Sequence, residues 1–179
     1  NGYRDYPIQF YNTNIEIVRL FNKLLFEIFN VLSKILVIKR NAKKDLYYTL
    51  KYSKETYLEI KNMGFPEGVK RDLIRIPQLI WKGNLNEKRL FVLGFLITDG
   101  CLRKNRSILF HSGSKLFLED LSLLISEFTY TNKPIKEYIQ REIYKSYQLN
   151  LNKQETKLLL EMPTCDNGTR SALRDFLKN

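Results

Sequence analysis

The chain is poor in the residues from which many catalytic sites are built. Its 179 residues include two cysteines, Cys101 and Cys165, which form no Cys-x-x-Cys pair, and one histidine, His111. That leaves too few ligands for a thiolate–imidazole zinc site. A Ser-His-Asp triad could use only His111, and no nucleophile-elbow pattern accompanies it. Long apolar runs are lacking too: none reaches the roughly 18 residues that cross a bilayer. No secretory signal is visible. The two cysteines are therefore expected as reduced thiols of an intracellular protein.

What is abundant is positive charge. Lysine and arginine number 30 against 19 acids, a net charge of +11. An excess of that size favours an anionic partner, most often nucleic acid. The basic residues are spread along the chain, with no polybasic tail and no strongly amphipathic basic helix, which argues against a membrane surface. With 44% hydrophobic and 13% aromatic residues the chain can build a real core, so disorder is not expected. Its length suits one domain or two small ones.

One stretch carries the chemistry, Leu90-Phe91-Val92-Leu93-Gly94-Phe95-Leu96-Ile97-Thr98-Asp99-Gly100. It reads as a helix that Asn86 can cap and whose positive end suits Glu87. Apolar almost all round, it is expected to be buried. Gly94 in its middle costs about 1 kcal/mol against alanine, a cost most easily offset if another backbone packs closely there. Gly100 is expected to stop the helix in the left-handed conformation. Asp99 falls at the negative helix end, where a carboxylate is disfavoured unless a cation compensates it. These features together point to a metal site at a helix–helix interface.

Along the chain, Pro7 to Tyr11 reads as a strand and Ile15 to Phe29 as a helix, with apolar residues at helical spacing. Ile35 to Ile38 and Leu46 to Tyr52 form a hairpin around a basic turn, and Lys54 to Met63 a second helix closing at Gly64. After an irregular basic segment and the helix at 86–100, the series restarts. A strand covers Ser107 to Phe110 and a helix Lys115 to Phe128. A hairpin follows at Ile135 to Gln140 and Tyr144 to Leu151, then a helix from Glu155 to Met162. Identities recur at a spacing of 100: Ile8/Ile108, Phe10/Phe110, Leu24/Leu124, Glu27/Glu127, Glu55/Glu155, Thr56/Thr156, Leu58/Leu158 and Gly68/Gly168. Such a frame marks an internal duplication, two similar units about a pseudo-twofold axis. The first repeat is taken as residues 1–81 and the second as 82–179, with its motif helix at 86–100. Subtracting 100 from Val92–Gly100 gives −8 to 0, so a first copy of that helix is expected just ahead of Asn1.

The nonapeptide Val92-Leu93-Gly94-Phe95-Leu96-Ile97-Thr98-Asp99-Gly100 resembles the LAGLIDADG motif of homing endonucleases. Gly64-Phe65-Pro66-Glu67-Gly68-Val69-Lys70-Arg71, leading to Ile76-Pro77, is similar to the segment joining the two repeats in intein-borne and archaeal members. The resemblance implies an α+β fold, a duplicated αββαββα arrangement whose antiparallel sheets form a DNA-binding saddle. It implies a metal-dependent, sequence-specific endonuclease that breaks both DNA strands at a long pseudo-palindromic site. In that family two motif helices pack through their glycines, and each brings one acid to a shared centre holding Mg2+ or another divalent cation. Asp99 takes this role, catalytic and metal-binding, with Gly94 and Gly100 at the helix interface. The motif's sixth position, often acidic, is Ile97 here. The second acid would come from a segment ahead of Asn1, giving a monomer, or from a partner chain. Lys70, with Arg170 as its counterpart, is the candidate for assisting transition-state charge.

Under the same resemblance Lys39, Arg40, Lys43, Lys44 and Lys51 supply charge to the first ribbon, and Lys136, Arg141 and Lys145 to the second. Arg103, Lys104 and Arg106 follow the motif onto the same surface. A two-stranded ribbon fits the major groove, though whether a given base reader or phosphate contact is involved stays open. Tyr47, Tyr48, Tyr52, Tyr138, Tyr144 and Tyr147 are expected to pack on the covering helices, and His111 to be a polar loop residue. The alternative reading is a scaffold that binds DNA or RNA without cutting, as a maturase or regulator.

Overall fold

The computed structural model describes residues 6–40, 44–65, 73–140 and 144–161. The chain divides into two compact units, one ending at Phe65 and one beginning after it. The first contains β1 (Pro7–Asn12), α1 (Ile15–Phe29), β2 (Ile35–Ile38), β3 (Leu46–Tyr52) and α2 (Lys54–Asn62). The second contains α3 (Gln78–Lys82), α4 (Leu85–Asp99), β4 (Gly100–Leu102), β5 (Ile108–Ser112), α5 (Lys115–Thr129), β6 (Lys136–Gln140), β7 (Tyr144–Leu151) and α6 (Lys153–Glu161). The repeat frame places its boundary at 81/82. Compactness divides the chain earlier, because Ile76 is buried in the second unit's core and Ile74, Ile80 and Trp81 pack against it.

In the first unit Asn14 starts α1 by accepting a hydrogen bond from the Glu16 N–H at 3.0 Å. Asn30, in the left-handed conformation at φ 53°, ends it. Val18 and Leu25 face inward. The sheet is antiparallel in the order β1-β3-β2, with Phe10 opposite Thr49 and Ile35 opposite the same residue. Phe10 lies on the side of the sheet that carries α1, its ring stacked on Phe21 at 4.5 Å between centroids. Thr49 shares that side and hydrogen-bonds the Ser33 hydroxyl. Ser53 caps α2 by accepting from the Thr56 N–H.

The second unit repeats this order with an added strand, β4-β5-β7-β6, all antiparallel. The spacing of 100 is kept in three dimensions. α1 spans 15–29 and α5 spans 115–129, and Tyr130 ends α5 at φ 56° as Asn30 ends α1. Ile8/Ile108, Val18/Leu118, Leu25/Ile125 and Thr56/Thr156 are buried in both copies. Across the α1–β2 and α5–β6 connections, Asn22 donates to the Ser33 carbonyl at 3.1 Å, and Ser122 donates to the Lys133 carbonyl at 2.9 Å.

The core of the second unit is a layer of two helices on the sheet. Val92, Leu93 and Leu96 of α4 meet Leu118, Leu121, Leu124 and Ile125 of α5, with Phe110, Leu149 and Leu151 beneath. Phe95 stacks on Phe110 and meets Phe117 edge-on. Each such leucine contributes roughly 1.5–3 kcal/mol by leaving water. Three polar devices lock the layer. Asp120 accepts from Arg75 through both oxygens (3.1 and 3.2 Å) and from the Ile76 N–H at 3.2 Å, clamping the segment before α3. Glu155 and Asn152 cap α6 reciprocally, at 2.8 and 3.0 Å. Burial alone would raise the Glu155 carboxyl, but hydrogen bonds from Lys133, the Asn152 N–H and Thr131 overcome this and hold it below the usual glutamate range. Arg89 of α4 is buried, and its Nε donates to the Leu159 carbonyl of α6 at 2.8 Å. Its two terminal nitrogens have no partner among the described residues, and burial lowers its pKa.

Candidate active site and nucleic-acid interface

The motif helix begins one residue pair earlier than the sequence suggests. Asn84, not Asn86, is the cap: its side chain accepts from the Asn86 and Glu87 N–H groups at 3.0 Å, and Glu87 accepts from the Asn84 N–H at 2.7 Å. This reciprocal box needs a glutamate three residues after the cap, which Glu87 satisfies only for Asn84. Nor is α4 buried all round. Arg89, Val92, Leu93 and Leu96 face the core, whereas Leu90 and Gly94 are exposed and Phe91, Ile97 and Thr98 half-exposed. A Cβ built on Gly94 would meet nothing within 4 Å. The glycine expected at a close helix crossing thus lies on an open, mainly apolar stripe of the helix.

Gly100 is required for a different reason from the one expected. Its backbone is extended, at φ −84° and ψ 164°, rather than left-handed. A side chain there would collide with Leu96, whose Cδ1, carbonyl oxygen and Cα lie 2.5–2.8 Å from the Cβ position. Close approach therefore selects glycine where α4 turns straight into β4.

Asp99 stands at this junction. Surrounding atoms desolvate its carboxyl although the residue keeps solvent contact, and this raises its pKa; a hydrogen bond from Thr98 (3.5 Å) opposes the rise. The Thr98 hydroxyl also reaches the Gly94 and Phe95 carbonyls at 3.2 and 3.3 Å. A hard carboxylate at a negative helix end, held where ionisation is unfavourable, fits a divalent cation taking oxygen ligands. It supplies one protein ligand, and no group of three or more histidine, cysteine or acidic residues occurs among the described residues. Asp99 is thus a half-site.

The basic residues fall into distinct settings. Lys43, Lys70, Arg141 and Arg170 lie outside the described residues. Arg103, Lys104 and Arg106 are exposed in the tight β4–β5 turn, where Arg106 adopts φ 62°. Arg40 and Lys44 are exposed beside the β2–β3 turn. Lys39 hydrogen-bonds Asp45, and Lys145 hydrogen-bonds Glu137 at 3.1 Å; both pairings raise the lysine pKa. Lys51 pairs with the buried Ile8 and shares its α1-bearing side, away from the open face of the sheet. Lys136 pairs with Gln148 on the open face of the second sheet.

Register also sorts the aromatic residues. Tyr147 packs against the core, and Tyr47, opposite Asn12, lies on the α1 side. Tyr48 and Tyr52 lie on the opposite, open face, where Tyr11 stacks on Tyr48 at 5.2 Å. Tyr138, opposite Ser146, is likewise on the open face of the second sheet and half-exposed. Packing of all the strand tyrosines on helices is therefore corrected: alternation at period two sends every second one outward. His111 is no loop residue. It sits within β5 on the open face, opposite Gln148, with the two side chains 3.5 Å apart. Gln148 and Asn150 were not singled out in the sequence, though their alternation with Leu149 and Leu151 carries the signal.

Among the described residues no helix is long and apolar enough to cross a membrane. Residues 86–162 match the family described as LAGLIDADG-like domain. The fold is similar to that of I-DmoI in complex with DNA and Ca, with 16% identity and a TM-score of 0.64 over 94% of this chain and 83% of that one. It is similar to the homing endonuclease I-WcaI bound to its DNA recognition sequence, with 13% identity and a TM-score of 0.60 over 93% and 74%. The N-terminal LAGLIDADG domain of DUF199/WhiA gives 11% identity and a TM-score of 0.55 over 94% and 78%. In sequence, 78% of the chain is 32% identical to a "Probable translation initiation factor IF-2" of Methanocaldococcus jannaschii, of whose length it spans 11%.

Proposed function

Residues 86–162 belong to the LAGLIDADG-like domain family, and from that premise we propose that the chain is a sequence-specific DNA endonuclease dependent on a divalent cation. The observation that carries this reading is the half-site itself. Asp99 ends a helix whose glycine-marked stripe is open, and its desolvated carboxyl gains by holding a cation. A bound Mg2+ would supply positive charge to the oxygens of the scissile phosphate. Asp99 has to be ionised to hold it, so cation affinity falls as pH drops, and it does so at higher pH than for an ordinary carboxylate. Exposed Arg40, Lys44, Arg103, Lys104 and Arg106 neutralise backbone phosphates. Lys70 and Arg170 keep the proposed role of assisting transition-state charge. The reading requires a second acid opposite Asp99, carried by a matching helix that packs at Gly94. Relatives of the same fold with DNA and with Ca, Mn or Mg agree with this chemistry. The match to 11% of a translation factor fits a module carried inside a longer host protein. Acting on DNA, the module would work inside the cell.

A second reading has its own support. With Asp99 the one acid assigned to the metal, and a fold also similar to the LAGLIDADG domain of WhiA, the chain would bind DNA or RNA without cutting it.

The test is Mg2+-dependent cleavage of a duplex library, with Asp99→Asn alongside. The substitution is expected to reduce cleavage by at least about a thousandfold. Mn2+ is expected to raise the melting temperature of the parent and not of the variant. Cleavage that survives the substitution would remove Asp99 from the active site. Selective duplex binding without cleavage by the parent would favour the second reading.

A further inference from the structure

The two sheets present the same face with largely different chemistry. In the second unit the face turned away from the helices carries His111, Lys136, Tyr138, Ser146, Gln148 and Asn150 around the buried Leu109. In the first unit it carries Tyr11, Leu36, Ile38, Tyr48, Leu50 and Tyr52 around one carboxamide, Gln9, whose Oε1 accepts from the Tyr11 hydroxyl at 3.0 Å. These positions correspond through the spacing of 100: Tyr11 to His111, Leu36 to Lys136, Tyr48 to Gln148 and Leu50 to Asn150, while Gln9 to Leu109 runs the other way. The apolar set is not a second core, since Tyr11 is 46%, Leu36 42% and Ile38 44% exposed.

Each chemistry suits a different feature of a base pair. Imidazole and carboxamide groups can meet the N7 and exocyclic donors and acceptors of purines in the major groove. Aliphatic and aromatic carbon cannot; what it can contact there is the C5 methyl of thymine. Resting on the DNA-binding reading above, we propose that the two sheets divide target recognition by chemistry. The second reads base edges through His111, Gln148 and Asn150, and the first reads thymine methyls through Tyr11, Leu36, Ile38 and Tyr48. The half-site facing the first sheet is therefore rich in A·T pairs, and the two half-sites are unlike despite the duplicated fold. DNA is favoured over a protein partner on this face for two reasons. It is the repeat counterpart of a polar, hydrogen-bonding face, and exposed Arg40 and Lys44 flank it at the β2–β3 turn of a chain with net charge +11.

The experiment selects a duplex from a random library with the full chain in the absence of divalent cations, then alters one half at a time. Replacing thymine by deoxyuridine removes only the methyl, and replacing purines by 7-deazapurines removes only N7. In one half uracil is expected to weaken binding about fourfold per contacted thymine, the equivalent of one buried methyl group, with 7-deazapurines weakening it less. In the other half 7-deazapurines are expected to weaken binding at least about tenfold, with uracil nearly silent. Ile38→Ala and Tyr48→Ala, with folding checked by far-ultraviolet circular dichroism, are expected to abolish the uracil effect, and Gln148→Ala to leave it intact. Equal sensitivity of both halves to both analogues would overturn the proposal. So would indifference to uracil combined with self-association that Tyr48→Ala abolishes, which would assign the face to a protein contact. Failure to enrich any duplex would instead remove the DNA-binding reading on which the proposal rests.

Discussion

Leu24 and Leu124 occupy the same place in two copies of one helix, yet 44% of Leu24 is exposed and none of Leu124. Ile28 and Phe128 differ in the same way, at 62% and 3%. Apart from the added strand β4, the order of the strands, the helix lengths and the helix ends agree between the two units, and the second unit has a further helix to cover the layer. In the second unit α4 lies beside α5 and closes the layer. Among the described residues the first unit has no counterpart of α4, and its buried apolar side chains are Ile8, Val18 and Leu25. Helix α4 therefore does two things at once. It brings an acid to its C-terminal end, and it completes the hydrophobic core of its own unit.

The largest expected effect comes from testing that pair directly. Leu124→Ala should cost about 3 kcal/mol, as a large-to-small change in a closed core does. Leu24→Ala should cost less than about 1 kcal/mol, because its cavity is already open to water. Urea unfolding followed by the fluorescence of Trp81, the single tryptophan and part of the second unit, reads the former. Far-ultraviolet circular dichroism reads the latter. Equal losses would mean that the first unit's core is closed by something beyond the described residues.

Glu55 and Glu155 sharpen the comparison in polar terms. Glu155 is 4% exposed and bonded to Lys133, Thr131 and the Asn152 N–H, while Glu55 lies at the surface. Glu155→Gln should cost about 2 kcal/mol at pH 7, the scale of a charge-assisted hydrogen bond, and Glu55→Gln no more than about 0.5 kcal/mol. Because the folded pKa of Glu155 is lowered, its stabilisation is full above the unfolded value and disappears as pH falls through the folded one. The gap between parent and Glu155→Gln should accordingly close in acid.

The smallest effect separates the two duties of α4. Gly94→Ala should raise the stability of the chain by about 1 kcal/mol through helix propensity, since its Cβ meets nothing. The same substitution should lower DNA cleavage if another helix has to approach this stripe closely. Loss of stability on its own would show that the stripe is already covered.

How much of this was legible in the sequence follows the range of the forces involved. α1, β2 and β3 begin and end where periodicity, caps and turn residues placed them, and the spacing of 100 survives in the helix ends and buried pairs. These are local signals. α3 spans five residues, too few for a helical period to register, and β4 exists because Gly100 to Leu102 pair with Phe110 to Ile108. Asn84 was readable, since the distance to Glu87 distinguishes it from Asn86. The open stripe at Gly94 was not, because an apolar helix carries no mark of which neighbour is present. Tyr47 and Tyr147 lie on the helix side as expected but Tyr48, Tyr52 and Tyr138 do not, because residue type says they belong on a sheet and only register says on which side.

The junction after Asp99 has a mechanical consequence. Helix α4 ends at Asp99 and β4 begins at Gly100, with Gly100 opposite Phe110. No connector separates the acid from the sheet whose far face carries His111. The reach from the open face of the sheet to the carboxylate is therefore a ruler without slack. One residue added between them would slide the strand by about 3.3 Å and turn its side chains to the other face. Any shift of these strands carries the Asp99 carboxylate along with them.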